Sequence, residues 1–322
     1  MQMRELHTSL YVDLARELET PMPLPETPIF DDHMHGGDIR ATRAYVKAAK
    51  AYGVKGALAL VRSVEEAKTL RREFGDFFLY CGWPQLFDID TNANWEAQRL
   101  EEIERQAGEG FAAMKFKIVP DREGRKPHVW LDDGRVKPLL DLCERLGLAV
   151  EAHIAQPDAW FAKFYSDGRA GRKEEYFAQV ERVLEEHPKL TYIGVHMGGW
   201  PENLEYLQRM MDTFPGFHID TSATKWTVRE LSRQRDRARE FFIRNADRIL
   251  FGSDLVVQRG IAPSYYTSRF HVQRTMWESE GRAPSMIRDA DAQGQPVIEG
   301  LGLPGEMLGK LYWGNAERVF GL

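Results

Sequence analysis

The chain has 322 residues, 43% of them hydrophobic, enough for one large core or two small ones. Its formal charge of −6 leaves no basic excess to neutralise phosphates, so nucleic acid is not an expected partner. Cys81 and Cys143 make no disulfide framework, no stretch is long and apolar enough to span a membrane, and the first residues carry charges where a secretory signal would be apolar; a cytoplasmic protein is expected.

Apolar strand-like runs alternate with helix-length runs, the pattern of a parallel sheet with crossover helices. Pro28–His33 reads as the first strand and Ala41–Tyr52 as its helix, and Val54–Val61 with Val64–Phe74 form the second pair. Phe77–Cys81 with Trp95–Ala107 and Phe111–Val119 with Asp133–Leu146 are the third and fourth. Leu148–His153 leads to a helix around Lys173–His187, and Leu190–His196 to Pro201–Phe214, where Pro201 suits a first-turn position. Gly216–Thr221 precedes one long charged helix, Val228–Ala246. Arg248–Asp254 is the eighth strand, and a last helix lies around Pro304–Phe320.

Eight strand–helix pairs predict an α/β fold, a (β/α)8 TIM barrel, with 1–322 as a single domain. Residues 1–27 are expected to be an N-terminal extension packed on the barrel. Residues 256–304 follow strand eight and are expected to be an insertion over the active-site mouth.

Four separated segments place histidine or aspartate at strand ends, where such barrels carry their active sites. They are Asp31-Asp32-His33-Met34-His35, Glu151-Ala152-His153, Val195-His196-Met197-Gly198-Gly199 and Phe251-Gly252-Ser253-Asp254. Strand alternation points His33 and His35 the same way, with Asp31 in line behind them. Singly, each histidine reads as a packed rim residue; what favours a metal site is that all stand at one level. Three histidines and a carboxylate with an open position suit one divalent ion, Zn2+ first, with Mn2+, Fe2+ and Co2+ also acceptable. Asp254 could ligate the ion and take a proton from bound water, and His196 could polarise a carbonyl or serve as acid and base.

Together with Gly314-Asn315-Ala316-Glu317-Arg318, these motifs resemble the amidohydrolase superfamily from about residue 28 onward. The closest likeness is to its amidohydrolase-related branch, which includes aminocarboxymuconate semialdehyde decarboxylase-like enzymes. The resemblance implies a metal-binding barrel with ligands at His33, His35, His153 and Asp254, and His196 catalytic or a further ligand. Binuclear members of the superfamily use a carboxylated lysine on the fourth strand, where this chain has Lys115 and Lys117. Both lysines face inward by alternation, as substrate contacts, as an ion-pair element reaching Glu151, or as a bridge between two metals. The branch generally works with one metal, which favours the mononuclear site.

Trp83 and Trp200 follow strands three and six as candidate pocket walls, and Arg269 could bind an acidic substrate. His218 and Cys81 read as structural. The leading expectation is a metal-dependent hydrolase of a small amide, lactone or ester. The alternative is a nonoxidative decarboxylase of a small aromatic or unsaturated acid, and a third reading is a non-catalytic ligand-binding barrel. A small molecule is the expected partner, with no nucleic acid and no membrane. Thr227–Asn245 and the N-terminal extension are the candidate contacts of a homodimer.

Overall fold

The computed structural model describes residues 22–121, 123–292, 294 and 296–322. Most of the expected N-terminal extension, with His7, lies outside them; within it, Met22 packs against the core. No helix among the described residues is long and apolar enough to cross a membrane.

Eight strands run parallel, each hydrogen-bonded to the next: β1 (Ile29–His35), β2 (Val54–Leu60), β3 (Phe78–Gly82), β4 (Ala113–Ile118), β5 (Ala149–Ile154), β6 (Tyr192–Gly194), β7 (Phe217–Asp220) and β8 (Ile249–Leu250). The segment after β8 then pairs with β1 through β9 (Leu255–Val256). Between them the Asp32 amide donates to the Phe251 carbonyl and the Asp254 amide to the His33 carbonyl, each at 2.7 Å. The last segment of the sheet therefore meets the first, and the eighth strand read from the sequence is shared between both neighbours.

The helices form an outer layer, and local chemistry sets their ends. Ser63 caps the helix Val64–Phe74 by accepting from the Glu66 amide at 3.2 Å, and Glu66 reaches back to the Arg62 amide at 2.9 Å. Met114, Phe116 and Ile118 face this layer, leaving Lys115 and Lys117 to the barrel interior.

Three expectations are corrected. Pro201 lies ahead of its helix, Leu204–Thr213, whose cap is Asn203 with its side chain accepting from the Tyr206 amide at 3.0 Å. The charged run is two helices, Thr224–Arg233 and Arg235–Arg244, broken at Gln234, whose φ is −135°. Arg235 and Arg239 hold the second helix to the Gly300 and Leu301 carbonyls at 3.0 and 3.1 Å, a tertiary anchor that no charge pattern reveals. The 256–304 segment is divided. Its helix Pro263–Glu278 belongs largely to the outer layer, with Tyr266 and Phe270 6.0 and 6.1 Å from Tyr45 on the helix Ile39–Ala51. A short antiparallel pair, β10 (Arg282–Pro284) and β11 (Val297–Glu299), follows it.

The barrel floor is apolar. Phe30, Leu58, Cys81, Ala113, Ala149, Ile193 and Leu250 pack in one buried cluster. Trp313 and Phe320 press on Phe30 at 6.2 and 5.9 Å, closing this end. Asn315 fastens the plug by donating to the Ala246 and Ile249 carbonyls, both at 2.7 Å.

A register irregularity in β1 between Asp31 and Met34 turns Asp31 away from the interior, correcting its expected place behind the histidines. Its carboxyl accepts from Tyr45 Oη (2.7 Å), Ser253 Oγ (2.6 Å) and the Ser253 amide (2.8 Å), tying β1 to the helix Ile39–Ala51 and to the eighth strand. Removing that carboxyl takes the shared acceptor from these three donors and from the His33 amide, 3.3 Å away. Asp31→Ala is expected to cost about 2–4 kcal/mol in denaturant unfolding, against roughly 1 kcal/mol for Tyr45→Phe, which removes a single bond. Equal losses for the two variants would refute the shared-acceptor account.

Candidate metal centre

The strand ends carry unusual backbone. The non-glycine residues with positive φ among those described are Ala155, His196, Met197, Ala223 and Asp254, which follow β5, β6, β7 and β8. Strain of this kind persists only where the surroundings hold it, and it gathers here at one rim. Gly199, with φ +79°, lets the chain after β6 pass under β5, since a Cβ there would stand 2.3 Å from the Ile154 carbonyl oxygen.

Within the rim, ligand atoms of His33, His35 and Asp254 lie within 4.8 Å of one another. Asp254 Oδ1 is 3.0 Å from His35 Nε2 and 3.6 Å from His33 Nε2. His33 is sealed at 2% exposure, whereas the side chains of His35 and Asp254 are 32% and 29% exposed and open to the pocket. A second group joins His33 to His196 and Asp220. The His196 ring stacks 5.2 Å from His33 and stands 4.5 Å from the edge-on His153 ring. His153 is therefore a neighbour of the first group without meeting its spacing. Its Nε2 is buried and has no hydrogen-bond partner among the described residues.

The electrostatics favour neutral imidazoles at His35, His153 and His196. Burial holds the His153 imidazolium well below its ordinary range, with His196 adding to the effect. Burial pushes His196 down to about 3. His35 is lowered, again by burial. At His33, burial and Lys115 oppose protonation, but Glu151 and Asp220 outweigh them and raise it. Burial opposes the Asp254 carboxylate, yet His196, His35 and His33 hold it well below the usual carboxylate range. Neutral histidines and an ionised carboxylate are the forms in which these residues ligate metal.

Below the rim, Lys115 lies 3.4 Å from Glu151 Oε2 and 3.2 Å from His33 Nε2, so the fourth-strand ion pair reaching Glu151 is present. Lys117 faces the pocket opening, where burial and Lys115 lower its ammonium's pKa against the pull of Asp254. Asp32 is fully buried, with both oxygens unpartnered among the described residues. Burial, then Glu151 and Asp220, push its carboxyl well above the ordinary range.

A pocket of about 340 Å³ opens over this group. Trp83 and Arg269 line it as expected, with Lys115, Lys117 and the four rim histidines. Trp200 does not: it is buried and stacks on Phe177 at 4.7 Å, 13° from parallel. The walls are instead completed by Trp160, Trp226 and Tyr265, with Arg229, Asp289 and Asp291. The 256–304 segment thus reaches the pocket through a few side chains. His218 bonds the Gly216 carbonyl at 3.0 Å away from the rim, and Cys81 is buried 3.9 Å from Glu151.

Asp220 and Ser222 were not anticipated. Asp220 Oδ2 bonds His33 Nδ1 at 3.0 Å, and Ser222 Oγ bonds His196 Nδ1 at 2.6 Å. Their signal in the sequence is position alone: they end strand seven at the level of the other rim residues.

The amidohydrolase family model matches residues 29–322. The chain belongs to the amidohydrolase family. No curated protein sequence matches it. Its fold is similar to 2,6-dihydroxybenzoate decarboxylase from Rhizobium, at 18% identity and TM-score 0.52, covering 92% of this chain and 99% of that one. It is also similar to a probable 2-pyrone-4,6-dicarboxylic acid hydrolase from Acinetobacter baumannii with citric acid bound (11%, TM-score 0.56, 92% and 100%). A third similar structure is a 5-carboxyvanillate decarboxylase from Novosphingobium aromaticivorans with bound manganese (14%, TM-score 0.51, 92% and 98%).

In this amidohydrolase the orphaned His153 nitrogen and the His/His/Asp group together fit a divalent ion. Protein purified without chelator is expected to carry about one divalent ion per chain by elemental analysis. His35→Ala and Asp254→Asn are each expected to lose it; two ions per chain, or retention in both variants, would contradict the assignment.

Proposed function

We propose that this amidohydrolase is a metal-dependent nonoxidative decarboxylase of a small aromatic or unsaturated carboxylic acid. The observation that carries the reading is the make-up of one pocket. Aromatic walls (Trp83, Trp160, Trp226, Tyr265) and cations (Lys117, Lys225, Arg229, Arg269) surround the space above His33, His35 and Asp254. Flat apolar walls suit a planar ring, and cations suit its carboxylate. This reverses the order expected from sequence, where hydrolysis led. Two of the similar structures described above are decarboxylases of substituted benzoates, which supports the reversal.

His33, His35, His153 and Asp254 would hold the ion, zinc or manganese, which supplies Lewis-acid charge for the substrate's oxygens. Lys117 Nζ pairs with the substrate carboxylate at the pocket opening. Trp83 and Trp226 hold the ring in place and keep water from it. Asp254, an ionised carboxylate 3.0 Å from His35 Nε2, would take up a solvent proton and pass it to the ring carbon. The bond from that carbon to the carboxylate breaks, its electron pair takes the proton, and carbon dioxide leaves. His196 Nε2 accepts a hydrogen bond from the substrate's hydroxyl or enol.

The test is carbon dioxide release from 2-hydroxybenzoates by metal-loaded protein in D2O, with deuterium appearing at the vacated ring carbon. Lys117→Met should raise KM roughly tenfold with little change in kcat, the loss of about 1.4 kcal/mol of binding. His196→Asn should lower kcat by about 10²–10⁴-fold. Ring opening of a lactone dicarboxylate without carbon dioxide release would return the assignment to hydrolysis. Metal removal that altered stability alone would leave a ligand-binding barrel.

A further inference from the structure

The pair at the end of β7 touches no pocket space, yet it contacts two rim histidines. Ser222 Oγ lies 2.5 Å from Asp220 Oδ1, 2.6 Å from His196 Nδ1 and 3.4 Å from His33 Nδ1. Asp220 Oδ1 also accepts from the amides of His196 (2.6 Å) and Ser222 (3.0 Å), while Oδ2 faces His33 Nδ1 at 3.0 Å. We infer that Asp220 and Ser222 form one hydrogen-bond clamp that fixes His33 and His196 together as Nδ1–H tautomers, leaving both Nε2 lone pairs to the site.

An ionised carboxylate only accepts, and a hydroxyl has a single hydrogen to give. Ser222 therefore donates to Asp220. With that hydrogen committed, the 2.6 Å contact between Ser222 Oγ and His196 Nδ1 requires the imidazole to be the donor. The contact of His33 Nδ1 with Asp220 Oδ2 likewise requires a proton on that nitrogen.

The surroundings are built around the clamp. The His196 amide bond to Asp220 holds a residue whose φ is +59°. A Cβ at Gly252 would stand 3.1 Å from Ser222 Cβ and 3.2 Å from both Asp220 Oδ2 and His33 Cβ, so a larger residue there would press directly on the clamp. Asp220 and Ser222 are thus positioning residues. Partners of this kind set the ring orientation and ligand basicity of metal-binding histidines. The consequence for metal rests on the site proposed above; the tautomers themselves do not.

The experiment is a long-range 1H–15N correlation spectrum of metal-free protein labelled with 15N-histidine. His33 and His196 signals are assigned by their disappearance in His33→Asn and His196→Asn. Wild-type protein should show both rings protonated at Nδ1, and finding either at Nε2 overturns the clamp whatever the variants do. Ser222→Ala should release His196 to the Nε2–H form or a mixture and leave His33 held by Asp220. Asp220→Asn, which disturbs the ligand His33 itself, should lower affinity for Mn2+, measured by chelator competition, 10–100-fold. Ser222→Thr, which keeps the hydroxyl, should restore the His196 tautomer. An unchanged His196 tautomer in Ser222→Ala, or a loss in the threonine variant equal to that in alanine, overturns the proposal. A tautomer shift in Ser222→Ala with unchanged Mn2+ affinity in Asp220→Asn upholds the clamp and counts instead against the metal reading.

Discussion

A parallel barrel must hydrogen-bond its last strand to its first, and in this protein that closure is also the assembly of the site. The Asp254 amide donates to the His33 carbonyl at 2.7 Å, so the backbone bond that completes the ring fixes the separation of two candidate ligands. Asp31 reinforces the same junction from outside, through Ser253 and Tyr45. The fold cannot loosen here without moving His33 and Asp254 relative to each other. This gives a physical reason for the rim to be stiff: a metal site needs its ligands pre-placed, and here the whole sheet places them.

Closure also buries charge in the interior. Above the apolar floor stand Asp32, Glu151 and Asp220, with Lys115 the buried cation beside them. Buried carboxylates are costly unless paired. Asp220 meets this with four hydrogen-bond contacts, two of them from backbone amides. Asp32 has no such set, and its carboxyl is accordingly pushed toward the neutral acid. Burial likewise holds His35, His153 and His196 toward the neutral imidazole, while Glu151 and Asp220 raise His33 against it.

Much of this was legible in the sequence, and the limits are physical. Apolar runs fixed by periodicity, such as Val64–Phe74, fall where the chain places them. His33, His35 and Asp254 were recoverable because strand ends share a level and alternation sets their faces. Alternation failed at Asp31, since a register irregularity depends on the neighbouring strands. The Pro263–Glu278 helix was hidden because it is buried on most of its faces and lacks a polar stripe. Trp200 and Trp226 could not be told apart as walls, because each follows a strand and only packing decides which ring meets Phe177. Asp220 and Ser222 were invisible because their work is done through other residues.

What decides the chemistry therefore lies apart from what decides the fold. The rim group is compatible with hydrolysis and with decarboxylation, since a Lewis acid serves either. The walls are less neutral. Their contributors come from loops after several strands and from the 256–304 segment, where Asp289 pairs with Arg229 and Asp291 accepts from Trp160 at 2.8 Å. Those two contacts fasten the segment to one cation and one aromatic wall of the pocket. Substrate choice in such a barrel can then change through that segment, with the ring of strands and its clamp left intact.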